Sequence, residues 1–432
     1  MVPRTTPRST QQVPGRQRLA ELINPHHRLA RLAGVIDWSA IEARFGALYV
    51  AGVSRPGVPI RLMVGLHYLK HAFDLSDEEV VERWVENPYW QHLCGEPYFR
   101  HDLPIDPSQM TRFRQRVGPA GCEFMLALSV QAGLATKAVA PASPAVVNVD
   151  TTVQERAIAF PTDARLYQKA RAALVRLAKK VGLALRQSYE RLGKAALAMN
   201  GRYAHARQLR RARAQQKRLR TYLGRVIRDI ERRTAGRTEL ERRFERLLNI
   251  AKRIHAQTRQ RADPATPKLY SVHAPEVECI AKGKAHRPYE FGVKVGVVTT
   301  SKESFVLGCC ALPGYPYDGH TLAVCLQQAA RVSGAVPAEA YVDRGYKGHR
   351  LRRPSVWIAG AKRGVTAAIH RKLKRRNAIE PVIGHMRTDG RLSRNFLKGS
   401  AGDAMNAILC GAGHNIRKIL RHLALAPATR SA

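Results

Sequence analysis

Three acidic residues, Asp150, Asp343 and Glu380, stand where they could share one site. Asp150 ends the apolar run AVVNVD, Asp343 follows the apolar residues of EAYVD, and Glu380 is the only acidic residue between positions 362 and 387. A carboxylate buried at a strand end is costly unless a cation accompanies it. Carboxylate oxygens are the ligands that Mg²⁺ prefers. Such a set could hold two divalent ions that assist in-line displacement at a phosphodiester.

Each of the two aspartates also has a purely structural interpretation. Asp150 could cap a turn before Thr151 through its side chain. Asp343 could pair with Arg344 or begin a turn at Gly345. Both interpretations remain open at the level of sequence.

Glu380 has the strongest structural alternative of the three acids. Asn377 is a good N-cap residue, and the spacing Asn-x-x-Glu would place Glu380 at the third helical position, as in a capping box. Pro381 would then lie in the first turn of the helix, where a proline costs least.

A helix that begins earlier, near Leu373, gives Glu380 a different environment. It would place Arg376, Glu380 and Arg387 on one side, because steps of 4 and 11 residues return to nearly the same angle at 3.6 residues per turn. The carboxylate would bind metal and the guanidinium groups would bind DNA phosphates. Pro381 would then kink the helix interior, and the sequence leaves both arrangements open.

The first elements of the chain are predicted to be helical. Residues 1–26 are predicted to form a flexible basic arm, and residues 27–137 have helical patterning with clear punctuation. In SDEEVVERWVEN, Ser76 and Glu79 are spaced as a capping box. Pro88 is predicted to end that helix.

A short basic helix is predicted after the turn at PIDP. Ser108 is its expected N-cap, and Arg112, Arg114 and Arg116 follow on it. A basic helix behind an earlier helix is typical of a helix-turn-helix DNA reader, although small helical bundles show the same pattern. We predict DNA contacts for the three arginines.

Strands and helices are mixed in the second half of the chain. Runs rich in β-branched and aromatic residues are typical of strands, namely AVVNVD, YEFGVKVGVVTT, SFVLGCCAL and EAYVDRG. A helical pattern with a glycine stop, DGHTLAVCLQQAARVSG, lies between the last two. We predict an α+β or α/β layer over residues 145–160 and 265–400, followed by a C-terminal helix and tail over 401–432.

Residues 161–264 form a basic insertion in this layer. Positions 161–261 contain 29 Lys and Arg residues against seven Asp and Glu, which is more than half of the net charge of +40. Apolar residues recur every three or four positions, which predicts two or three long helices. Their basic faces could simply be solvated. Like charges destabilise a helix, however, and a nucleic-acid backbone would offset that cost.

Composition narrows the class of protein. A chain of 432 residues with 45% hydrophobic residues can form two or three domains with real cores. The net charge of +40 makes nucleic acid the expected partner rather than a membrane. Seven cysteines without metal-ligand spacing argue against a zinc site or a disulfide framework. With no signal peptide and no apolar run of about 20 residues, the reduced cytoplasm is the expected compartment.

The three acids and their neighbours resemble a known enzyme family. VNVDTT, YVDRGY and RRNAIEPVIGHMR are similar to the three-acid (DDE) site of bacterial insertion-sequence transposases, especially the group around insertion-sequence family five. That group has a signature of Tyr, two residues, Arg, three residues, Glu, six residues and Lys. Arg376 and Glu380 match it, Arg387 stands in place of the Lys, and Leu373 occupies the Tyr position.

The resemblance implies a fold and a reaction. HRPYEFGVKV, YPYDGHTL and GHNIRKIL are also similar to segments that flank the site in this family. The family's fold is ribonuclease-H-like, a mixed five-stranded sheet with the two Asp on adjacent strands and the Glu on a helix. The implied activity is that of a DNA transposase, which cleaves element ends and joins the 3′-OH to target DNA. Residues 27–137 would be the DNA-end-binding domain.

The resemblance also implies roles for single residues. Asp150, Asp343 and Glu380 would be the catalytic residues and the ligands of Mg²⁺ or Mn²⁺, with two ions expected. Asp318, in YPYDGH, is a spare carboxylate that could substitute as a ligand. The residues expected to contact phosphates near the site are Arg376, Arg387 and Lys347.

The expected partners follow from the same resemblance. They are double-stranded DNA, as the terminal repeats of the element and as the target, and further copies of the chain on that DNA in the nucleoid of a bacterium. Two alternatives remain, a catalytically inactive nucleic-acid-binding relative and a metal-dependent DNA nuclease of the same fold.

Overall fold

The computed structural model describes residues 17–49, 57–258, 266–284, 287–361 and 363–425. The predicted N-terminal arm and C-terminal tail therefore lie largely outside the described residues. The chain divides into two compact units. The first comprises Met1–Glu155 and Val293–Ala432, and the second comprises Arg156–Gly292.

The first unit contains eleven of the helices in the described residues. Seven of them come before the first strand in the chain, and four come after it. They are α1 (Leu19–Leu22), α2 (Arg28–Val35), α3 (Trp38–Gly46), α4 (Ile60–Ala72), α5 (Asp77–Glu86), α6 (Pro88–Leu93), α7 (Ser108–Ala135), α12 (Asp318–Ser333), α13 (Ala367–Arg376), α14 (Ile379–Thr388) and α15 (Gly399–Leu425).

The sheet of the first unit is mixed. Its strands are β1 (Val146–Glu155), β3 (Arg287–Thr300, from Val293 onward), β4 (Val306–Leu312), β5 (Glu339–Val342) and β6 (Ser355–Ile358). The order is β3-β1-β5-β6, with β4 paired to β3. β5 runs parallel to β1 and to β6, whereas β3 and β4 are antiparallel. The predicted α+β class is confirmed, and β6 is a strand that the sequence pattern did not predict.

Local signals in the N-terminal helices are partly confirmed. Ser76 accepts from the Glu79 backbone N–H at 3.0 Å, and Glu79 accepts from the Ser76 backbone N–H at 2.7 Å. The predicted capping box is therefore present at the start of α5. The helix ends at Glu86, directly before Asn87 and Pro88, as predicted. Pro88 is also the first residue of α6, where the missing N–H of a proline costs little.

The prediction of a short helix after Ser108 is confirmed, but Ser108 is not its N-cap, because Pro107 occupies that position. Ser108 is the first helical residue of α7, which continues for 28 residues to Ala135. The chain bends at Gly118, which has φ 61° and ψ −171° and precedes Pro119. α7 therefore consists of two helices that meet at this kink, and the first of them, which carries the three arginines, ends before Gly118.

One hydrophobic core joins the N-terminal helices to the sheet of the first unit. It includes apolar residues of α2 to α7, of β1, β3 and β4, and of the long helix α15. By length and composition alone α7 could cross a membrane, but 56% of its apolar window is buried inside the protein. It packs mainly against α15, as the core helix of a folded unit does.

The second unit is the basic insertion, and it has its own core. Its helices are α8 (Asp163–Lys180), α9 (Glu190–His205), α10 (Leu209–Thr234) and α11 (Thr238–Gln257). Four helices form where two or three were predicted, because the turns near positions 183–189 and 206–208 divide the pattern. β2 (Glu278–Lys284) is antiparallel to the first residues of β3. Apolar residues from α8, α10 and α11 dominate the core of this unit.

Candidate active site

The two aspartates lie on adjacent parallel strands. The last paired residues of β1 and β5 are Asn148 and Tyr341. Asp150 and Asp343 each lie two residues beyond this pair, so they project from neighbouring strands, which are about 4.8 Å apart. Asp150 does not end its strand, as the sequence suggested, because β1 continues to Glu155. Asp343 directly follows β5.

Asp150 is held by an arginine that is remote in sequence. Arg376 Nη2 donates to Asp150 Oδ2 at 2.7 Å, and the Thr151 backbone N–H donates to Asp150 Oδ1 at 2.8 Å. Burial raises the pKa of Asp150 to about 6, although Arg376 and the Thr151 N–H act to lower it. The carboxylates of Asp343 and Glu380 raise this pKa further. Arg376 connects two of the predicted acids, since its guanidinium is 2.7 Å from Asp150 and 3.8 Å from Glu380.

Asp343 makes the local turn that was one of its two structural interpretations. Its Oδ1 accepts from the Gly345 backbone N–H at 2.9 Å and so begins a single 3₁₀ turn, Arg344–Tyr346. Within the part of the chain that the structure describes, Asp343 forms no ion pair. The residue as a whole is only partly buried.

Glu380 lies in the first turn of α14. Neither the helix capped by Asn377 nor the single helix from Leu373 is present. Asn377 has helical φ and ψ and ends α13, and its side chain does not cap α14. The capping-box interpretation is therefore wrong. Arg376 is the last residue of α13, so the single helix from Leu373 is also wrong. Pro381 falls within the first turn of α14, where its missing N–H breaks no helical hydrogen bond.

Arg376 nevertheless lies beside Glu380, because the two helices follow each other almost directly. Arg376 Nη1 is 3.8 Å from Glu380 Oε1, and the Glu380 side chain is 65% exposed. The predicted phosphate contact at Arg376 is not available in this conformation, since its side chain is buried and bound to Asp150.

The other predicted phosphate contacts near the site differ in accessibility. Arg387, in the last turn of α14, pairs with Glu155 at 2.6 Å and is partly buried. Lys347 is exposed, and it has no ion pair in the described residues. Lys347 is therefore the more accessible of the two.

A fourth carboxylate, that of Asp318, lies at the site. The lysine that pairs with it, Lys294, was not singled out in the sequence. Asp318 Oδ1 accepts from Thr151 Oγ1 at 3.0 Å and from Lys294 Nζ at 2.9 Å. A Cβ on Gly345 would lie 3.1 Å from both Asp318 Oδ2 and Asp343 Oδ1. Asp318 and Asp343 therefore flank the same glycine. The sequence could have pointed to Lys294, because it is the only charged residue in the apolar run FGVKVGVV.

Tyr346 is a second residue that the sequence did not single out. Its hydroxyl is buried and has no hydrogen-bond partner among the described residues. Burial raises the pKa of Tyr346 well above its usual value, and Cys325, Asp150, Asp318 and Asp343 add to this effect.

The donor set suits a hard divalent cation by its chemistry. All candidate ligands are carboxylate oxygens, and the raised pKa of Asp150 reflects burial and carboxylate repulsion that a cation would relieve. No group of three or more His, Cys, Asp or Glu side chains is close enough to hold a metal ion in the ranges that the structure describes. In this conformation Arg376 provides the cation for Asp150.

Two comparisons identify the chain's relatives. Residues 17–116 match the model of a family described as a transposase domain, DUF772. A protein of Rhizobium meliloti, described as uncharacterized protein ORF8 in the nfe locus, is 60% identical over 193 residues, which is 45% of this chain and 93% of that protein. The chain belongs to a transposase-related family. No solved structure matches it at a significant level.

The transposase-related domain contains the three arginines predicted to contact DNA, and the structure separates them. Arg112 and Arg116 are exposed and line a cavity of about 630 Å³ together with Arg100. Arg114 is 2% exposed and pairs with Asp77 at 2.5 Å. The expectation of a DNA contact at Arg114 is corrected, because its guanidinium is used inside the core.

Arg114→Ala and Arg112→Ala should affect different properties of this transposase-related chain. The first should lower its stability, and the second should weaken its binding of DNA. Arg114→Ala should lower the free energy of unfolding by about 3 kcal/mol, because it leaves the Asp77 carboxylate without its bidentate partner. Arg112→Ala should change that free energy by less than about 0.5 kcal/mol and should weaken DNA binding. Urea unfolding and a DNA titration measure the two effects. A stable Arg114→Ala protein with weakened DNA binding would reverse these assignments.

Proposed function

We propose that this chain is a DNA transposase that cleaves the ends of its element and joins the freed 3′-OH to target DNA. The observation that carries the proposal is the geometry that brings Asp150 together with Asp343 and Glu380. Asp150 and Asp343 each lie two residues beyond a paired position of two parallel strands, and Arg376 is 2.7 Å from Asp150 and 3.8 Å from Glu380. Asp343 and Glu380 are 193 and 230 positions away from Asp150 in the chain, so local structure does not account for their proximity. Membership of a transposase-related family supports the same reaction class.

The sheet supports a ribonuclease-H-like catalytic domain. The strand order β4-β3-β1-β5-β6 is mixed, and it has the antiparallel pair on one side and the parallel pairs on the other. The two aspartates project from the adjacent strands β1 and β5, and Glu380 comes from α14. This agrees with the arrangement that the family resemblance implies.

Asp150, Asp343 and Glu380 would hold Mg²⁺ or Mn²⁺, with Asp318 nearby. Two such ions would activate the attacking oxygen and stabilise the leaving oxygen of a phosphodiester. The protein's own contribution is positioning. Asp318 links the residue after Asp150 to Lys294 on β3.

The surroundings of the site favour phosphate as the substrate group. Lys347 is exposed beside the Asp343 turn, Arg376 lies 3.8 Å from Glu380, and Arg387 is in the last turn of the same helix as Glu380. Arg376 would have to exchange part of its contact with Asp150 for a phosphate when DNA and metal bind. A divalent metal ion would then replace the guanidinium as the cation at Asp150.

Strand-transfer assays test the proposal. The full chain is incubated with Mg²⁺, target DNA and labelled duplexes that carry the terminal repeats flanking its reading frame. We expect nicked ends followed by joined product. Nicks without joined product would indicate a nuclease, and binding without nicks would indicate an inactive relative. Either result would overturn the proposed transposase.

A further inference from the structure

Helix α10 in the second unit has one strongly basic face. Six exposed cations lie within an arc of about 120° around its axis at 100° per residue. We call these six residues the α10 basic face. They are Arg210, Arg213, Lys217, Arg225, Arg228 and Arg232.

The opposite face of α10 is fully used by the core of this unit. Leu219, Leu223, Val226 and Ile230 are each 1% exposed or less, and they belong to the core shared with α8 and α11. Apolar packing therefore holds α10 in place and sets which side faces solvent. The basic face cannot turn inward without exposing this core.

The α10 basic face has few acidic partners among the described residues. There, Arg232 is the one member near a carboxylate, 3.6 Å from Asp229, and Arg225 donates to the Tyr189 hydroxyl at 3.3 Å. The remaining four have no ion pair in the described residues. Like charges three and four residues apart destabilise a helix, so Arg210, Arg213 and Lys217 oppose one another without compensation.

The neighbouring helix α11 shows the ordinary pattern for a charged surface. Arg242 and Arg243 both bind Glu239, and Lys252 binds Glu231. Three of its five cations are therefore paired with carboxylates, against one of the six on the α10 basic face in the described residues. The difference between the two helices indicates that α10 meets an external anion.

We propose that the α10 basic face binds the phosphate backbone of duplex DNA without reading its sequence. From Arg210 to Arg232 the helix is about 33 Å long, close to one turn of B-form DNA. A straight row of cations of this length suits a regular polyanion better than a compact anionic ligand. The choice of duplex DNA rests on the proposed function, whereas the surface itself rests on charge and exposure.

The test compares two triple variants with equal loss of charge. Arg210, Lys217 and Arg228 become Gln in the first variant, and these residues lie on one line of α10. In the control, Arg242, Arg243 and Lys252 become Gln. The full chain is titrated by anisotropy with a duplex of about 30 base pairs that lacks terminal repeats, at several salt concentrations. EDTA is present, so metal-dependent cleavage does not enter the measurement.

We expect the first variant to lose roughly tenfold to a hundredfold in affinity at physiological salt. The slope of log affinity against log salt should fall by about 2 to 3, since each phosphate contact contributes about 0.9. The control should keep both values within about twofold. Equal losses in the two variants would mean that only net charge matters and would overturn the proposal.

Two further ligands, single-stranded RNA and vesicles of anionic phospholipid, test the chemical class of the partner. A loss confined to single-stranded RNA of the same length, or to vesicles of anionic phospholipid, would overturn the assignment to duplex DNA. Failure of the strand-transfer assay leaves this binding test unaffected. If the chain cuts and joins DNA but the two triple variants bind the duplex equally, the proposal for the α10 basic face is wrong and the proposed transposase function stands.

Discussion

Glu380→Gln is expected to reduce DNA strand cleavage by at least about 100-fold while the protein stays folded and binds DNA. Glu380 is the most exposed of the three acids, at 65%, and its closest charged contact is 3.8 Å from Arg376. Its loss therefore removes no buried interaction. The change from a carboxylate to an amide removes a hard anionic oxygen from the proposed ligand set.

Glu78→Gln is a closely matched control for this variant. Glu78 occupies the second position of α5, as Glu380 does in α14, and its side chain is likewise exposed. Both variants lose the same favourable interaction of a carboxylate with a helix N-terminus. Cleavage is measured with labelled element ends and Mg²⁺, and binding by titration in EDTA. A Glu380→Gln protein that cleaves at the rate of the Glu78→Gln protein would exclude Glu380 from the site.

Arg376→Gln is expected to lower the free energy of unfolding by about 3 kcal/mol at about pH 8. Arg376 is 7% exposed, and its guanidinium binds Asp150 at 2.7 Å. Without it the Asp150 carboxylate remains largely buried with no cation. Urea unfolding without divalent cations measures the change. Lys374→Gln, at an exposed position of the same helix, should have an effect below about 0.5 kcal/mol.

The destabilisation by Arg376→Gln should depend on pH. Burial already raises the pKa of Asp150 to about 6, and removal of Arg376 raises it further because the guanidinium acts to lower it. A raised carboxyl pKa destabilises the folded state increasingly as pH rises from the unfolded value towards the folded one. The effect should therefore be smaller at about pH 5, where Asp150 is largely protonated, than at about pH 8.

A double variant separates the ion pair from other roles of Arg376. Asp150→Asn combined with Arg376→Gln should recover much of the lost stability, because neither partner then leaves a buried charge behind. The coupling between the two substitutions is obtained from a double-mutant cycle. If Arg376→Gln unfolds at the same urea concentration as the wild type, the buried pair does not exist in solution.

Local patterns determined much of the fold. Period-two and apolar runs predicted β1, β3, β4 and β5, because a strand between helical layers must bury side chains along its length. The run from Asp318 with its glycine stop predicted α12, and Gly334 ends it with φ 71°. The capping box at Ser76 and Glu79 depends on a spacing of three residues, so the sequence alone was sufficient.

The fate of individual cations could not be predicted in the same way. Arg112, Arg114 and Arg116 look alike in sequence, yet only Arg114 is buried. Its burial depends on Asp77, which is 37 residues away and on a different helix. Whether a charged side chain faces solvent or the core depends on which element packs against it, and no local spacing contains that information.

The sequence by itself determined the class of residues in the candidate site, the α+β character of the chain and the concentration of positive charge in the insertion. The tertiary structure alone decided that Asp150 meets Arg376 across 226 positions, that Lys294 pairs with Asp318, and that α13 ends at Arg376. The physical reason is the separation along the chain over which each kind of interaction acts. Strand and helix patterns arise from neighbours along the chain, whereas the partners of a buried charge are set by strand register and by the packing of distant elements.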